Sequence, residues 1–399
     1  MPQPKIHRLV FNQSIDDVVA SLTDFEKEIL KLEGLPGSSD IARAFSFEIP
    51  DLFYFKDLIM HRHRGNYQKV SDVLHWERSF EMFSHMLNYI QNAVVDPKTR
   101  RKLKDFAYGF YSHVIVDAIF HPKVYRETND HPFVHPAPAY REHKRYESKL
   151  DGYVSMLRNI NPHEHGLPEL LKYAQEIGSR GYDEGIFTMM NFAMAQTYDR
   201  PKDSGLTVFK SHDMDYLFLF EQYKKDKFHP FNDAVSHMIS LFSTLYAPHV
   251  HLENFVKHHP IALSLIKSIP EVGIFAPLIA LEPKHIREIE SKDGKPWYDI
   301  EGTPSYTIME LYNMSVKATA KMIKESEKFF RSGQRDSGKF FEVNSKGVVY
   351  LHEINLDTGL HPKHNSTIRF IEPENMRRAF AVGLEELNEY YKSIINSTV

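Results

Sequence analysis

No cysteine occurs anywhere in the 399-residue chain. That absence excludes disulfides and thiolate metal sites together, and leaves any bound metal to nitrogen and oxygen donors. No apolar run approaches the roughly 20 residues that span a bilayer, and the opening MPQPKIHRLVFNQ lacks the charged-then-apolar pattern of a signal peptide. The expectation is a cytoplasmic protein with no transmembrane segment. Also missing are a glycine-rich phosphate loop, a nucleophile elbow, a dinucleotide fingerprint, internal repeats and low-complexity stretches. Net charge is only −4 and the basic residues are scattered, so nothing marks an extended nucleic-acid footprint, although a local groove could still accept one as substrate. What the chain has in abundance is histidine, 23 residues.

The pattern along the chain is predominantly helical. Ser14–Leu32 reads as an amphipathic helix capped by Ser14 and ended at Gly34–Pro36–Gly37. Pro50 places Asp51 on a loop or at a helix start. Lys69–Ala93 and Lys102–Phe120 follow as helices, the second ended by Pro122. Prolines 122, 132, 136 and 138 then brace an excursion that carries His121, His131 and His135, before Glu142–Ile160 returns to helix. The pattern from Leu167 to Pro270 is helical with breaks, Pro270–Pro304 is loop-rich, and Ser305–Phe330 is a long amphipathic helix. Lys339–Val343 and Val348–His352 read as two short strands around Asn344–Gly347, and Pro373–Ser397 as a last helix. The expected fold class is all-α with a small β-hairpin near the C-terminus. The expected organisation is a main domain over 1–335 (metal core 1–160, helical extension 161–290), with a hairpin and helix over 336–399 packed on it.

Within Tyr108–Tyr153, His113, Asp117 and His121 stand four residues apart, and His143, Glu147 and Asp151 repeat the spacing. On an α-helix each four-residue step turns only about 40°, so each trio shares a face. The competing explanation is a pair of helix surfaces with ordinary i,i+4 hydrogen bonds. Two imidazole–carboxylate rows joined by a proline-braced loop point instead to a clamp for metal, with zinc the best match to such donors.

These residues resemble the bacterial zinc-dependent phospholipase C family, whose wider helical fold is shared with S1/P1-type nucleases. Gly109, His113 and Asp117 are similar to its GxxxH-x3-D helix, His121–Pro122 to its next histidine, and His143–Glu147 to its HxxxE. IPDLFYF resembles its Pro-Asp segment and implies Asp51 as a ligand; LHWERSFEMF implies His75; PKIHRLVFNQ implies His7. KPWYDIEGTPSYTIMELY is similar to a late segment of intracellular relatives. The resemblance implies Asp51, His75, His113 and Asp117 around one metal, and His121, His143 and Glu147 around a second, with His131 or His135 as alternatives to His121. Asp117 would bridge toward a third position near His7, for two or three Zn2+ ions in all. Asp51 would double as general base, and Asp151 would orient a histidine from behind. Zinc lowers the pKa of a bound water from about 15.7 toward 7, which gives a hydroxide to attack phosphorus.

The expected activity is a hydrolase acting on phosphate ester bonds, with a phospholipid or other small phosphate ester as substrate. One rival keeps the chemistry and changes the substrate to a nucleotide or single-stranded nucleic acid; another makes the metals braces in a partner-binding scaffold. His61, His63, the cluster His249, His251, His258 and His259, and DTGLHPKH (Asp357–His364) read as surface or loop, outside the site. Trp297 and Tyr298 read equally as pocket lining or as aromatic core.

Overall fold

In the computed structural model the residues described are 4–30, 33–40, 46, 49–51, 71, 74–76, 78–93, 95–131, 137–159, 184–198, 281–296, 304–344 and 384–396. Their elements are α1 (Pro4–Ser21), α2 (Asp24–Ile29), α3 (Ser79–Asn92), α4 (Pro97–Thr128), α5 (Ala137–Leu157), α6 (Glu184–Tyr198), α7 (Pro283–Lys292), α8 (Ile308–Ser332), α9 (Ser337–Asn344) and α10 (Leu384–Asn396). All of these are helices, and no strand occurs among the described residues.

Helix α4 is the axle. Asp96 caps it by accepting from the Thr99 N–H, and Pro97 stands where a missing N–H costs nothing. Its 32 residues reach about 48 Å at 1.5 Å per residue. From Leu103 to Tyr125 every residue is buried, so the helix lacks the one-sided stripe of a surface helix. It is enclosed by α1, α3, α5, α6 and α8, while α7 packs on α5, and α9 and α10 on α3 and α8.

Pro122 does not end this helix, contrary to the sequence expectation; the helix continues to Thr128. The proline removes one backbone donor, but the buried surroundings hold the backbone helical through it. The Tyr391 hydroxyl of α10 donates to the Ile119 carbonyl at 2.8 Å, next to the carbonyl that Pro122 leaves without a helical donor.

Other boundaries also differ from expectation: α4 starts at Pro97, α5 starts at Ala137, and α7 is a helix within the stretch expected to be loop-rich. The first helix is divided: α1 starts at Pro4, ahead of Ser14, whose hydroxyl donates to the Val10 carbonyl inside the helix, and Thr23 caps α2 in a capping box with Glu26. The second breaks at Arg78, which adopts φ 61°. The expected strand Lys339–Val343 is helical and lies in α9. Asp336 accepts from the Lys339 N–H, and Phe340 and Phe341 are buried against Phe329 and Phe80. Local capping and aromatic packing therefore override the strand propensity of Phe340, Phe341 and Val343. The partner segment Val348–His352 lies outside the described residues.

A buried ionic cluster joins α4 to α8. Arg101 and Tyr108 both donate to Glu327 Oε1, and Lys104 donates to Glu327 and Glu33. Burial alone would raise the Glu327 carboxyl, but Arg101 and Lys104 hold it down at about 2. Asp105 accepts from the N–H groups of Gly37 and Ser39 at 2.8 and 3.1 Å, which pins the segment leading toward Ser46 and Asp51 against α4.

Candidate metal centre

Three of the helices, one turn and the short helical stretch around His75 carry the converging side chains. His113, Asp117 and His121 project from successive turns of α4, and His143 and Glu147 from adjacent turns of α5. His7 lies in the first turns of α1. Asp51 follows a turn in which the Ile49 N–H donates to the Ser46 carbonyl. His75 stands just before the break at Arg78, and its Nδ1 lies 2.7 Å from the Ser71 carbonyl. A carbonyl only accepts, so Nδ1 carries the proton and Nε2 is left to face the site.

All of these groups are buried. Asp117 is their hub. Its Oδ1 lies 3.1 Å from His7 Nε2 and 3.8 Å from His121 Nε2, and its Oδ2 lies 2.9 Å from His113 Nε2 and 3.5 Å from His75 Nε2. Asp51 Oδ1 is 3.2 Å from His75 Nε2, and Asp51 Oδ2 is 4.0 Å from His113 Nε2. Glu147 Oε1 lies 2.9 Å from His143 Nε2 and 3.3 Å from His121 Nε2. The ligand atoms fall into three sets, each within 4.8 Å of one another: His7, His113 and Asp117; Asp51, His75 and His113; His121, His143 and Glu147.

These sets fit a metal on the protein's own chemistry. Both oxygens of Asp51 and of Asp117 are buried and close to ring nitrogens, yet none has a well-formed hydrogen bond. Such a group in a folded interior calls for an explanation, and a cation between the carboxylates and imidazoles supplies one. Burial, then the neighbouring His113, lowers the pKa of His7, favouring the neutral form that a ligand needs. Burial would raise the Asp117 carboxyl, but His113, His121 and His7 hold it well below the usual carboxylate range. Around His143 burial is overruled by Glu147 and Asp130, and the ring is pushed up to about 9. Lys144 donates to Glu147 Oε2 at 3.1 Å, which leaves Oε1 directed at the two imidazoles.

Gly109 shows why α4 has no side chain one turn before His113. A Cβ there would stand 1.8 Å from Ser46 Oγ, 2.5 Å from Ser46 Cβ and 3.1 Å from the Ser46 carbonyl carbon. Gly109→Ala is expected to push the Ser46–Asp51 turn away and release metal from the Asp51–His75–His113 set. Metal analysis checks the loss, and Ser46→Gly in the same chain should restore part of it. Normal metal content in Gly109→Ala alone would contradict this role.

The eight ligands expected from sequence thus come together. His121 reaches the second set because α4 continues through Pro122. His131 is buried at the end of α4 but belongs to none of the three sets, and His135 lies outside the described residues. Asp151 Oδ1 accepts from the Ile6 N–H at 3.1 Å, which ties down the start of α1 beside His7. A carboxylate behind a ring that the sequence reading missed is Asp130, whose Oδ2 lies 3.1 Å from His143 Nδ1. It stands outside both four-residue rows, and no spacing signal could have found it. A small recess adjoins the centre between α1, α4 and α5. It has His7, Asp117, His121, Glu147 and Asp151 on one side and Ile6, Val116, Phe120, Val124 and Leu150 as its apolar wall. His61, His63, Trp297, Tyr298, the 249–259 histidines and Asp357–His364 lie outside the described residues.

Residues 49–192 match the family model described as zinc dependent phospholipase C. That span contains Asp51, His75, His113, Asp117, His121, His143 and Glu147, whereas His7 precedes it. Searches of curated proteins and of solved structures gave no match.

Proposed function

We propose that the chain is a zinc-dependent phosphoesterase of the phospholipase C kind, hydrolysing a phosphodiester or phosphomonoester whose organic group is apolar. The observation that carries this reading is the fully buried Asp117, which faces four imidazoles and so links three ligand sets within one small volume. A structural zinc site needs only one closed tetrahedral set. Linked sets sharing a carboxylate suit the clamping of the attacking and leaving oxygens of a phosphate ester.

In this reading Asp51, His75, His113 and Asp117 hold one zinc, His121, His143 and Glu147 a second, and His7 with Asp117 borders a third position. Zinc bound there supplies Lewis acidity toward phosphate oxygens and a water acidic enough to serve as nucleophile near neutral pH. Asp51 is the catalytic carboxylate that orients that water and accepts its proton. Lys144 keeps Glu147 turned toward its histidines, and Asp151 holds His7 in place through the α1 backbone. The apolar wall of Ile6, Val116, Phe120, Val124 and Leu150 excludes water beside the ligands.

Protein prepared without chelator is expected to contain stoichiometric zinc. It should hydrolyse phosphatidylcholine or bis-p-nitrophenyl phosphate in a reaction abolished by chelation and restored by zinc. The same panel should include 3′-nucleotides and single-stranded DNA, since preferential cleavage of those would replace the lipid-like substrate by a nucleotide. Absence of stoichiometric zinc would end the proposal.

A further inference from the structure

We propose that Asp130 is the positioning residue of the second ligand set, fixing the tautomer and orientation of His143 so that Nε2 is presented to metal; this rests on the zinc reading above. Helix α4 ends at Asn129, which adopts the left-handed conformation with φ 52°. That turn directs the next residue back toward α5. Asp130 is fully buried, its Oδ1 accepts from the His131 N–H at 2.8 Å, and its Oδ2 is the carboxylate oxygen 3.1 Å from His143 Nδ1, close but not aligned as a hydrogen bond. The ring is further confined by Tyr125, whose plane stands at 74° to it with centroids 4.6 Å apart. His143 Nε2 then points at Glu147 Oε1 and toward His121.

The chemistry follows from counting donors and acceptors. An imidazole that binds metal through Nε2 must carry its remaining proton on Nδ1. An ionised carboxylate is acceptor-only, so Asp130 favours that tautomer over the other neutral one. It also makes Nε2 a stronger donor to the metal, as outer carboxylates do behind metal-bound histidines. His75 is treated differently, since its Nδ1 faces the neutral Ser71 carbonyl. His75 and His143 therefore differ in what stands behind them.

Asparagine tests this role because it has one acceptor oxygen where Asp130 uses two. If that oxygen remains on the His131 N–H, the amide NH2 faces Nδ1 and favours the tautomer with the proton on Nε2, which cannot bind metal. Alanine removes the carboxylate but lets water serve Nδ1. The experiment measures zinc affinity of the full-length protein by chelator competition for the wild type, Asp130→Asn and Asp130→Ala. Long-range proton–nitrogen NMR of the His143 ring reports its tautomer. The expected result is a fall of roughly 10- to 100-fold in affinity at one class of zinc position in Asp130→Asn, with the other class unchanged. Asp130→Ala should lose less, and the Nδ1-protonated signal of His143 should disappear in the asparagine variant.

A role confined to ending the helix predicts the opposite order, because asparagine keeps the bond to the His131 N–H and alanine does not. Wild-type zinc affinity in both variants, or an unchanged His143 tautomer, would overturn the assignment of Asp130. A wild-type protein that binds no zinc would overturn it together with the proposed function, which separates the two failures. If the asparagine variant does not fold, the alanine variant still decides: loss confined to one class of position supports the role, and unchanged affinity removes it.

Discussion

Asp117→Asn is expected to empty the linked part of the centre and reduce phosphoester hydrolysis to background. The substitution preserves shape and volume, so packing around α4 should survive. What changes is charge and ligand strength at the point where His7, His75, His113 and His121 meet, within 2.9 to 3.8 Å of the two carboxylate oxygens. An amide offers one weak oxygen ligand in place of two charged ones, and its NH2 group points at ring nitrogens that should face metal. Metal analysis should show reduced zinc per chain, and far-ultraviolet circular dichroism should remain that of the wild type. A resident metal stabilises the fold because it binds the native state alone. The gap in thermal stability between zinc-loaded and chelator-treated protein should therefore narrow in this variant. Full zinc content together with normal turnover would refute the bridging role.

The second large effect is expected at Asp51. Asp51→Asn should lower kcat by about 10²- to 10⁴-fold, the usual range for losing a general base, while most of the zinc stays bound. The separation arises because Asp51 contributes two properties. As a ligand it is one of several groups converging on the set that includes His75 and His113, and an asparagine carbonyl keeps part of that bond. As a base it offers a buried carboxylate whose two oxygens lack well-formed hydrogen bonds and which, unlike Asp117, faces only two of the imidazoles. Kinetics on a soluble phosphodiester, paired with metal analysis of the same preparation, tests both. A metal-braced scaffold predicts that zinc-dependent stability and function persist unchanged in Asp51→Asn, so loss of turnover with zinc retained would exclude that alternative.

Both predictions depend on residues that were legible in sequence to different degrees. The rows on α4 and α5 were readable because an i,i+4 repeat is a property of a single helix. Asp51, His75 and His7 were reached only through resemblance to family motifs, since each comes from a different segment and no spacing rule joins them to α4. Pro122 misled the reading of where α4 ends. A proline normally ends a helix pattern, and only enclosure by the neighbouring helices, with Tyr391 against the Ile119 carbonyl, explains why the helix persists. The strand expected at Lys339–Val343 failed because two adjacent phenylalanines are buried on a short capped helix.

The amino-acid sequence by itself determined the donor chemistry of this protein. Without cysteine, and with imidazole and carboxylate groups at helical spacing, a metal centre here had to be built from nitrogen and oxygen. It also determined the predominantly helical character, because periodicity is local information carried by neighbouring residues. Tertiary structure decided which oxygen faces which ring. It made Asp117 the shared hub, set Asp151 against the α1 backbone, and brought Asp130 behind His143. It also revealed that Gly109 is bare because Ser46 must pass against α4 for Asp51 to reach the site. Those relations depend on how segments far apart in the chain pack around α4, and packing distances between segments are not encoded in the spacing within any one of them.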